Sequence, residues 1–329
     1  MTPIYILNMK LIIAVLCALL SFCACTEVPI IGILSQETYS VQHLFPDEDY
    51  HSFIAASYVK LLESAGARVV PIWIGQDEEY YRKVVECTNG MLFPGGATYF
   101  NQSCGYAEAG QMIYDVALER NRNGDYYPIW GICLGMELLI EVANGLGQRE
   151  VREACLSKKV SLPLEFRKDI QSSRTFGSAP KEVIKILLNE NVTYNYHQFC
   201  VTEKGLKEFG LEKDWVILST NRDINGLEFI SSYESKHYPF YGVQFHPEKN
   251  MFEFKDSLNI PHSKNAVVVS QYLANEFVEE TRRNSHSFND WESEQKSLIY
   301  NYPAQFTGIK NSSYEQLYMF KKSDYKIFF

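Results

Sequence analysis

The sequence predicts a doubly wound α/β domain, with a mostly parallel central sheet flanked by helices. Two observations carry this. Between residues 29 and 143, short apolar runs alternate four times with helical patterns, the signature of a parallel sheet covered on both faces. The fourth run, "YPIWGI" (127–132), passes through the glycine-flanked "GICLG" (131–135) directly into a helical pattern, a sharp strand-to-helix corner.

The elements follow in order. "PIIGIL" (29–34) reads as a first buried strand. In "DYHSFIAASYVKLLESAGARVVPIWI" (49–74), Phe53, Ile54, Tyr58, Leu61, Leu62 and Ala65 recur near the three-four spacing of one helical face. Gly66 stands where that helix would end, and "ARVVPIWI" is the second strand. Residues 78–96 repeat the scheme: a helix, an Asn-Gly break, the strand "GMLF" and a glycine pair. Residues 107–120 and 134–143 are the next helices. After Gly147 the pattern changes. "SLPLEF" (161–166) reads as a strand and "PKEVIKILLNE" as a short helix opened by Pro180. "WVILSTN", "NGLEFISSY" and "FYGVQFHPE" read as three strands, and residues 263–284 as a long final helix. Residues 285–329 show no clear element, but they are too rich in Tyr and Phe for plain disorder and are expected to pack across the domain.

Three segments result: 1–25, 26–284 and 285–329. The first holds "MKLIIAVLCALLSFCAC", a lysine, an apolar run and small residues, the pattern of a secretory signal peptide. Its apolar run is shorter than the about 20 residues a membrane span needs, so no stable membrane association is expected. The 329 residues leave ample chain for a core, and a net charge of −9 without a basic cluster excludes a nucleic-acid footprint. Asn101, Asn191 and Asn311 open Asn-X-Ser/Thr sequons, expected to be glycosylated behind a signal peptide. Past residue 25 the cysteines are Cys87, Cys104, Cys133, Cys155 and Cys200. The number is odd, so at least one is unpaired or pairs outside the chain, and no CxxC suggests zinc.

The chemistry concentrates at three places. In "GICLG", Cys133 occupies the corner of a G-x-C-x-G elbow, the nucleophile-elbow pattern with Cys for Ser. Such a corner lifts its side chain above the carboxyl end of the sheet, where open α/β folds bind ligands. It also places the sulfur at a helix N-terminus, which favours thiolate, with the Leu134 N–H as an oxyanion donor. A bare G-x-C-x-G equally suits a structural cysteine between packing glycines; the strand-before, helix-after context favours the nucleophile. His246, in "FHPE", is held at a strand terminus by Pro247, and Glu248 is spaced to orient its ring. In "LFPGG", Gly95 and Gly96 leave backbone N–H groups uncovered, and Gly96 supplies a second oxyanion donor.

A strand ending in "PGG", a "GICLG" elbow and a "FHPE" strand end, in this order, resemble class I glutamine amidotransferase-like domains. Within them the chain resembles the gamma-glutamyl hydrolase family through "AASYVKLLESAGARVVP", "WGICLGMELL", "YPFYGVQFHPEK" and "NAVVVSQYLANEFVEE". The resemblance spans about residues 29–280. It implies a cysteine-type hydrolase of poly-γ-glutamated folates, with Cys133 as nucleophile, His246 as base and Glu248 in the triad-acid position. It places Tyr58, Gly95, Glu137 and His197 around the substrate cleft. It implies no cofactor or metal, a homodimer, and residence in the extracellular space and lysosome. "YNYHQF" departs from the His-Lys-Trp continuation of relatives, which leaves the role of His197 open. Lys249 and Arg174 are candidate cations for a polyanionic substrate. The rival readings are an ammonia-producing glutamine amidotransferase and a secreted binding protein on an inactive amidase fold.

Overall fold

A computed structural model of the chain describes residues 26–167 and 170–325. The leader read from the sequence lies outside them. The central sheet contains β1 (Ile30–Leu34), β4 (Arg68–Ile72), β5 (Gly90–Phe93), β6 (Ile129–Ile132), β8 (Glu165–Phe166), β10 (Trp215–Arg222), β11 (Glu228–Ser235) and β12 (Phe240–Val243). Their order is β4-β1-β5-β6-β12-β11-β10-β8. The first five are parallel; β11, β10 and β8 extend the sheet antiparallel. Pro71 is tolerated in β4 because that strand is an edge, where a missing N–H costs no ladder bond.

Alternation along β6 shows how the sheet is covered. Trp130 packs on Phe277 of a long helix, α8 (Lys264–Arg282), with ring centroids 5.2 Å apart. Its neighbour Gly131 points the other way, toward α4 (Leu134–Asn144). On the α8 side lies α1 (Ala56–Glu63); on the α4 side, α2 (Glu78–Cys87) packs on α3 (Tyr106–Arg122), which packs on α4. The helices start where side chains satisfy their first N–H groups: Asp77 accepts from Tyr80 at 2.9 Å, and Ser263 from Ala266 at 3.1 Å. Between the layers Ile31, Ile33, Val69, Leu92 and Ile132 are wholly buried. Among the described residues no helix is long and apolar enough to cross a membrane.

Three regions depart from the sequence reading. Phe53 and Ile54 do not open the first helix; they lie in β3 (Ser52–Ala55). Their strand partner is β14 (Gln316–Phe320), with Ile54 opposite Tyr318. That pairing reaches far along the chain, so local periodicity does not reveal it. The tail itself is structured. It supplies α9 (Trp291–Ser297), β13 (Ala304–Phe306) and β14. With β3 and β2 (Gln36–Glu37), the two tail strands build a second sheet ordered β13-β14-β3-β2. Tyr325 stacks on Trp73 at 4.8 Å, which anchors the tail on the main domain. Finally, "SLPLEF" is not one strand. β7 (Glu153–Leu162) ends before Pro163 and pairs with β9 (Thr193–Cys200), while β8 resumes in the central sheet. A Cys155–Cys200 disulfide ties β7 to β9, leaving Cys87, Cys104 and Cys133 free. The helix expected after Pro180 is α5 (Lys181–Asn189), a short α6 (Glu203–Glu208) follows β9, and a single turn, α7 (Lys249–Phe252), follows β12.

Candidate active site

The elbow is built by two glycines with distinct tasks. A methyl group on Gly131 would come within 2.4 Å of the Gly135 carbonyl, so only glycine lets α4 start this close to β6. A methyl group on Gly135 would come within 1.9 Å of the Phe93 carbonyl at the end of β5. Between them Cys133 is forced to φ 51°, a conformation that a non-glycine residue adopts only where its surroundings impose it. Its N–H donates to the Val243 carbonyl at 2.8 Å, which locks the end of β6 to the end of β12.

That lock brings the second group in. β12 runs parallel to β6, with Val243 opposite Ile132, so both strands deliver their carboxyl ends to one edge of the sheet. His246 lies just past β12 and is held by its N–H, which donates to the Tyr194 carbonyl at 2.8 Å. The imidazole Nδ1 lies 2.7 Å from Glu248 Oε1. Donating its proton there leaves Nε2 as the basic nitrogen. Gly95 lies against both residues: a methyl group on it would meet His246 Cε1 at 2.9 Å and Cys133 Cβ at 3.1 Å. The Gly95 N–H is already committed, donating to the Tyr58 hydroxyl at 2.9 Å. Gly96 lines the adjoining cleft, with the Gln36 amide packed against it.

The electrostatics revise the expectation of a ready thiolate. Burial pushes the Cys133 thiol well above its usual range, and the charges of Glu137 and Glu248 push the same way; the Leu134 N–H and Lys249 pull against them without prevailing. Burial also lowers the His246 imidazole below 6.5, outweighing the raising effect of Glu248. Both shifts favour a neutral thiol beside a neutral imidazole. Burial disfavours the Glu248 carboxylate, yet the His246 imidazole holds it below 4.5.

Other expected residues are placed unevenly. Tyr58 is buried beside the dyad. Glu137 is not at the cleft wall. Its carboxylate lies behind the nucleophile, bound by Arg152 at 2.9 Å and by the Gln244 amide at 3.1 Å, and burial raises it to about 7. His197 lies outside the cleft lining. It packs on Phe229 and the disulfide, its Nδ1 bonds the Phe199 carbonyl at 3.0 Å, and burial lowers it to about 3. Arg174 is on a different surface, donating to the Ser235 carbonyl at 2.9 Å. Asn101, Asn191 and Asn311 are all exposed, and Asn311 stands at the cleft rim.

The cleft itself measures about 210 Å³. His246, Gly96 and Lys249 form its floor, and Tyr194, Tyr196 and Tyr314 its outer wall. The sequence reading missed this wall and missed Gln244, whose amide reaches Cys133 Sγ at 3.8 Å. Gln244 left a signal: it is a polar residue inside the apolar run "YGVQF" and is wholly buried. Tyr314 left none, because it comes from the tail.

Comparison with known proteins agrees with this geometry. Residues 29–248 match the model of the peptidase C26 family. The gamma-glutamyl hydrolase of Rattus norvegicus is 42% identical over 294 residues, covering 89% of this chain and 89% of that protein. The gamma-glutamyl hydrolase of Homo sapiens is 39% identical, covering 89% of each chain. Gamma-glutamyl hydrolase B of Dictyostelium discoideum is 38% identical over 90% of this chain and 84% of its own. With the family model spanning the sheet, the elbow and the "FHPE" strand end, and with these relatives aligned over nearly the whole chain, the protein belongs to the peptidase C26 family of gamma-glutamyl hydrolases.

Proposed function

We propose that the protein is a thiol hydrolase that cleaves the γ-glutamyl amide bonds of poly-γ-glutamated folates. The observation that carries this is Cys133 at a strained elbow, beside a His246 whose ring is oriented by Glu248. As substrate enters, His246 Nε2 takes the thiol proton and the sulfur attacks the γ-carbonyl carbon. The tetrahedral oxyanion is received by the N–H groups of Leu134 and Gly96; losing one such donor typically costs about 2.7–4 kcal/mol of barrier. The imidazolium returns its proton to the leaving amine. Water, deprotonated by the same imidazole, then releases the acyl group from sulfur. No step calls for a cofactor.

The neutral resting dyad suits this scheme. A thiol that ionises only with substrate in place is protected from oxidation and adventitious alkylation while idle. Glu137 supports the reaction from behind, by fixing the Gln244 amide against the sulfur.

Secretion, with residence in the extracellular space and lysosome, is part of the proposal; the leader-like residues 1–25 and three exposed sequons support it. A homodimer is proposed from the family resemblance. The test of function is glutamate release from a folate carrying several γ-linked glutamates, with Cys133→Ala as control. Release by the native protein alone supports the reading. Ammonia release from free glutamine in its place would move the assignment to the amidotransferases.

A further inference from the structure

A polyanionic substrate needs a cation at the scissile bond, and the protein's net charge of −9 makes an uncommitted one conspicuous. Most basic side chains near the site are already committed. Arg152 is bound to Glu137 and Glu150 and sandwiched between Phe100 and Phe199. Lys255 donates to the Asn311 carbonyl at the rim, at 2.6 Å. Arg174 serves another surface.

Lys249 differs. It lines the cleft beside His246, yet only 6% of its surface is exposed. Among the described residues, no ion pair or hydrogen bond holds its Nζ. Its ammonium instead faces the ring of Tyr314, 4.8 Å from the centroid. Two buried carboxylates, Glu248 and Glu253, lie near enough to feel its charge but outside bonding distance; Glu248 binds the catalytic imidazole and Glu253 accepts the Glu315 N–H at 2.5 Å. A buried ammonium without a bonded anion is costly, and proteins keep such groups paired. Tyr314 offsets part of that cost through its ring face. Glu248 and Glu253 offset another part from a distance, and an anion in the cleft would add the partner at bonding distance that the ammonium lacks.

We propose that Lys249 is the carboxylate-recognition residue of this site: it binds the α-carboxylate of the glutamate whose γ-carbonyl is attacked. This rests on the γ-glutamyl hydrolase reading and deepens it. The chemistry fits the spacing, because the α-carboxylate lies only a few bonds from the γ-carbonyl carbon, and Lys249 directly follows the residue that orients the base. An ion pair formed at an ammonium this deeply buried is screened less than one on the open surface. It would also register the chain, so that a γ-linked amide, rather than an α-linked one, meets the sulfur.

The experiment uses the full chain and two probes. One is 4-aminobenzoyl-Glu-γ-Glu. The other is the same compound with the α-carboxylate of its first glutamate converted to a carboxamide. The native protein should favour the carboxylate by about tenfold or more in kcat/KM. Lys249→Met should lose that preference, chiefly through KM, with both probes cleaved at similar rates. Lys249→Arg should keep a substantial part of it, and near-ultraviolet circular dichroism reports whether each variant is folded. Lys249→Met retaining the native preference while slowing on both probes would overturn the proposal and leave the lysine a structural role. Binding to Cys133→Ala separates the two readings. Tight binding of the carboxylate probe that weakens in Cys133→Ala/Lys249→Met supports the subsite even if turnover is poor. No binding and no cleavage of either probe would sink the γ-glutamyl reading and the subsite with it.

Discussion

The two walls of the cleft are built in opposite ways. The inner wall is the catalytic side, with His246 lining the cleft and Cys133, Leu134 and Gly95 packed behind it, and is made from the ends of three adjacent strands, β5, β6 and β12. The conformation of its key residues is set mainly within the motifs: two glycines force the elbow, and Glu248, two positions on, orients the imidazole. The outer wall, with Tyr194, Tyr196 and Tyr314, is borrowed from the disulfide-clamped strand pair β7–β9 and from the C-terminal tail. The chemistry is carried by a rigid local motif, whereas the shape that receives the substrate is assembled from distant chain. A cysteine nucleophile can therefore be common to many enzymes while the outer wall decides what reaches it.

The comparison can be broken first at the inner wall. Cys133→Ala should abolish turnover by at least about 10⁴-fold, as removal of a nucleophile does in comparable triads, with little loss of stability; single-turnover kinetics check it. Glu248→Gln comes next, with kcat lowered by about 10²-fold or more through loss of ring orientation. Its pH profile gives the sign. His246 must be neutral to act, and burial sets its pKa below 6.5, with Glu248 the main group raising it. The acid limb of kcat/KM should therefore lie below pH 6.5 in the native protein and move lower still in Glu248→Gln. A limb that moves upward would contradict the assigned pairing.

The outer wall should respond differently. Replacing Cys155 and Cys200 together by Ala opens a loop whose ends are 45 residues apart, and about 2–4 kcal/mol of stability should be lost. Urea unfolding measures this. KM should rise more than kcat falls, because β9 carries Tyr196 into the cleft. Tyr58→Phe sits between the walls. It removes the acceptor of the Gly95 N–H, at about 1–2 kcal/mol, and should lower kcat by about tenfold. An unchanged rate would show that Gly95 holds its place without the phenol.

Much of the inner wall is legible in the amino-acid sequence. The strand-to-helix corner at Cys133, the strand end at His246 and the glycine pair are sequence-local, and the parallel β6–β12 pairing sets them on one edge as expected. Glu137 and His197 are less legible. Both are polar residues near motifs, and nothing in their sequence neighbourhoods separates a cleft-facing carboxylate from one buried behind the nucleophile on Arg152. The helix N-terminus that favours a thiolate is visible in sequence, whereas the burial and the two nearby carboxylates that oppose it are not.

The sequence by itself determined the alternating α/β core, the elbow, the histidine strand end and their order, because periodicity, glycine and proline act over a few residues. Only the tertiary structure decided that Phe53 and Ile54 form a strand, that the tail closes the cleft with Tyr314, and that Lys249 stands buried without a bonded anion. Those outcomes depend on contacts between segments far apart in the chain, whose pairing and desolvation exist only once the core has brought them together.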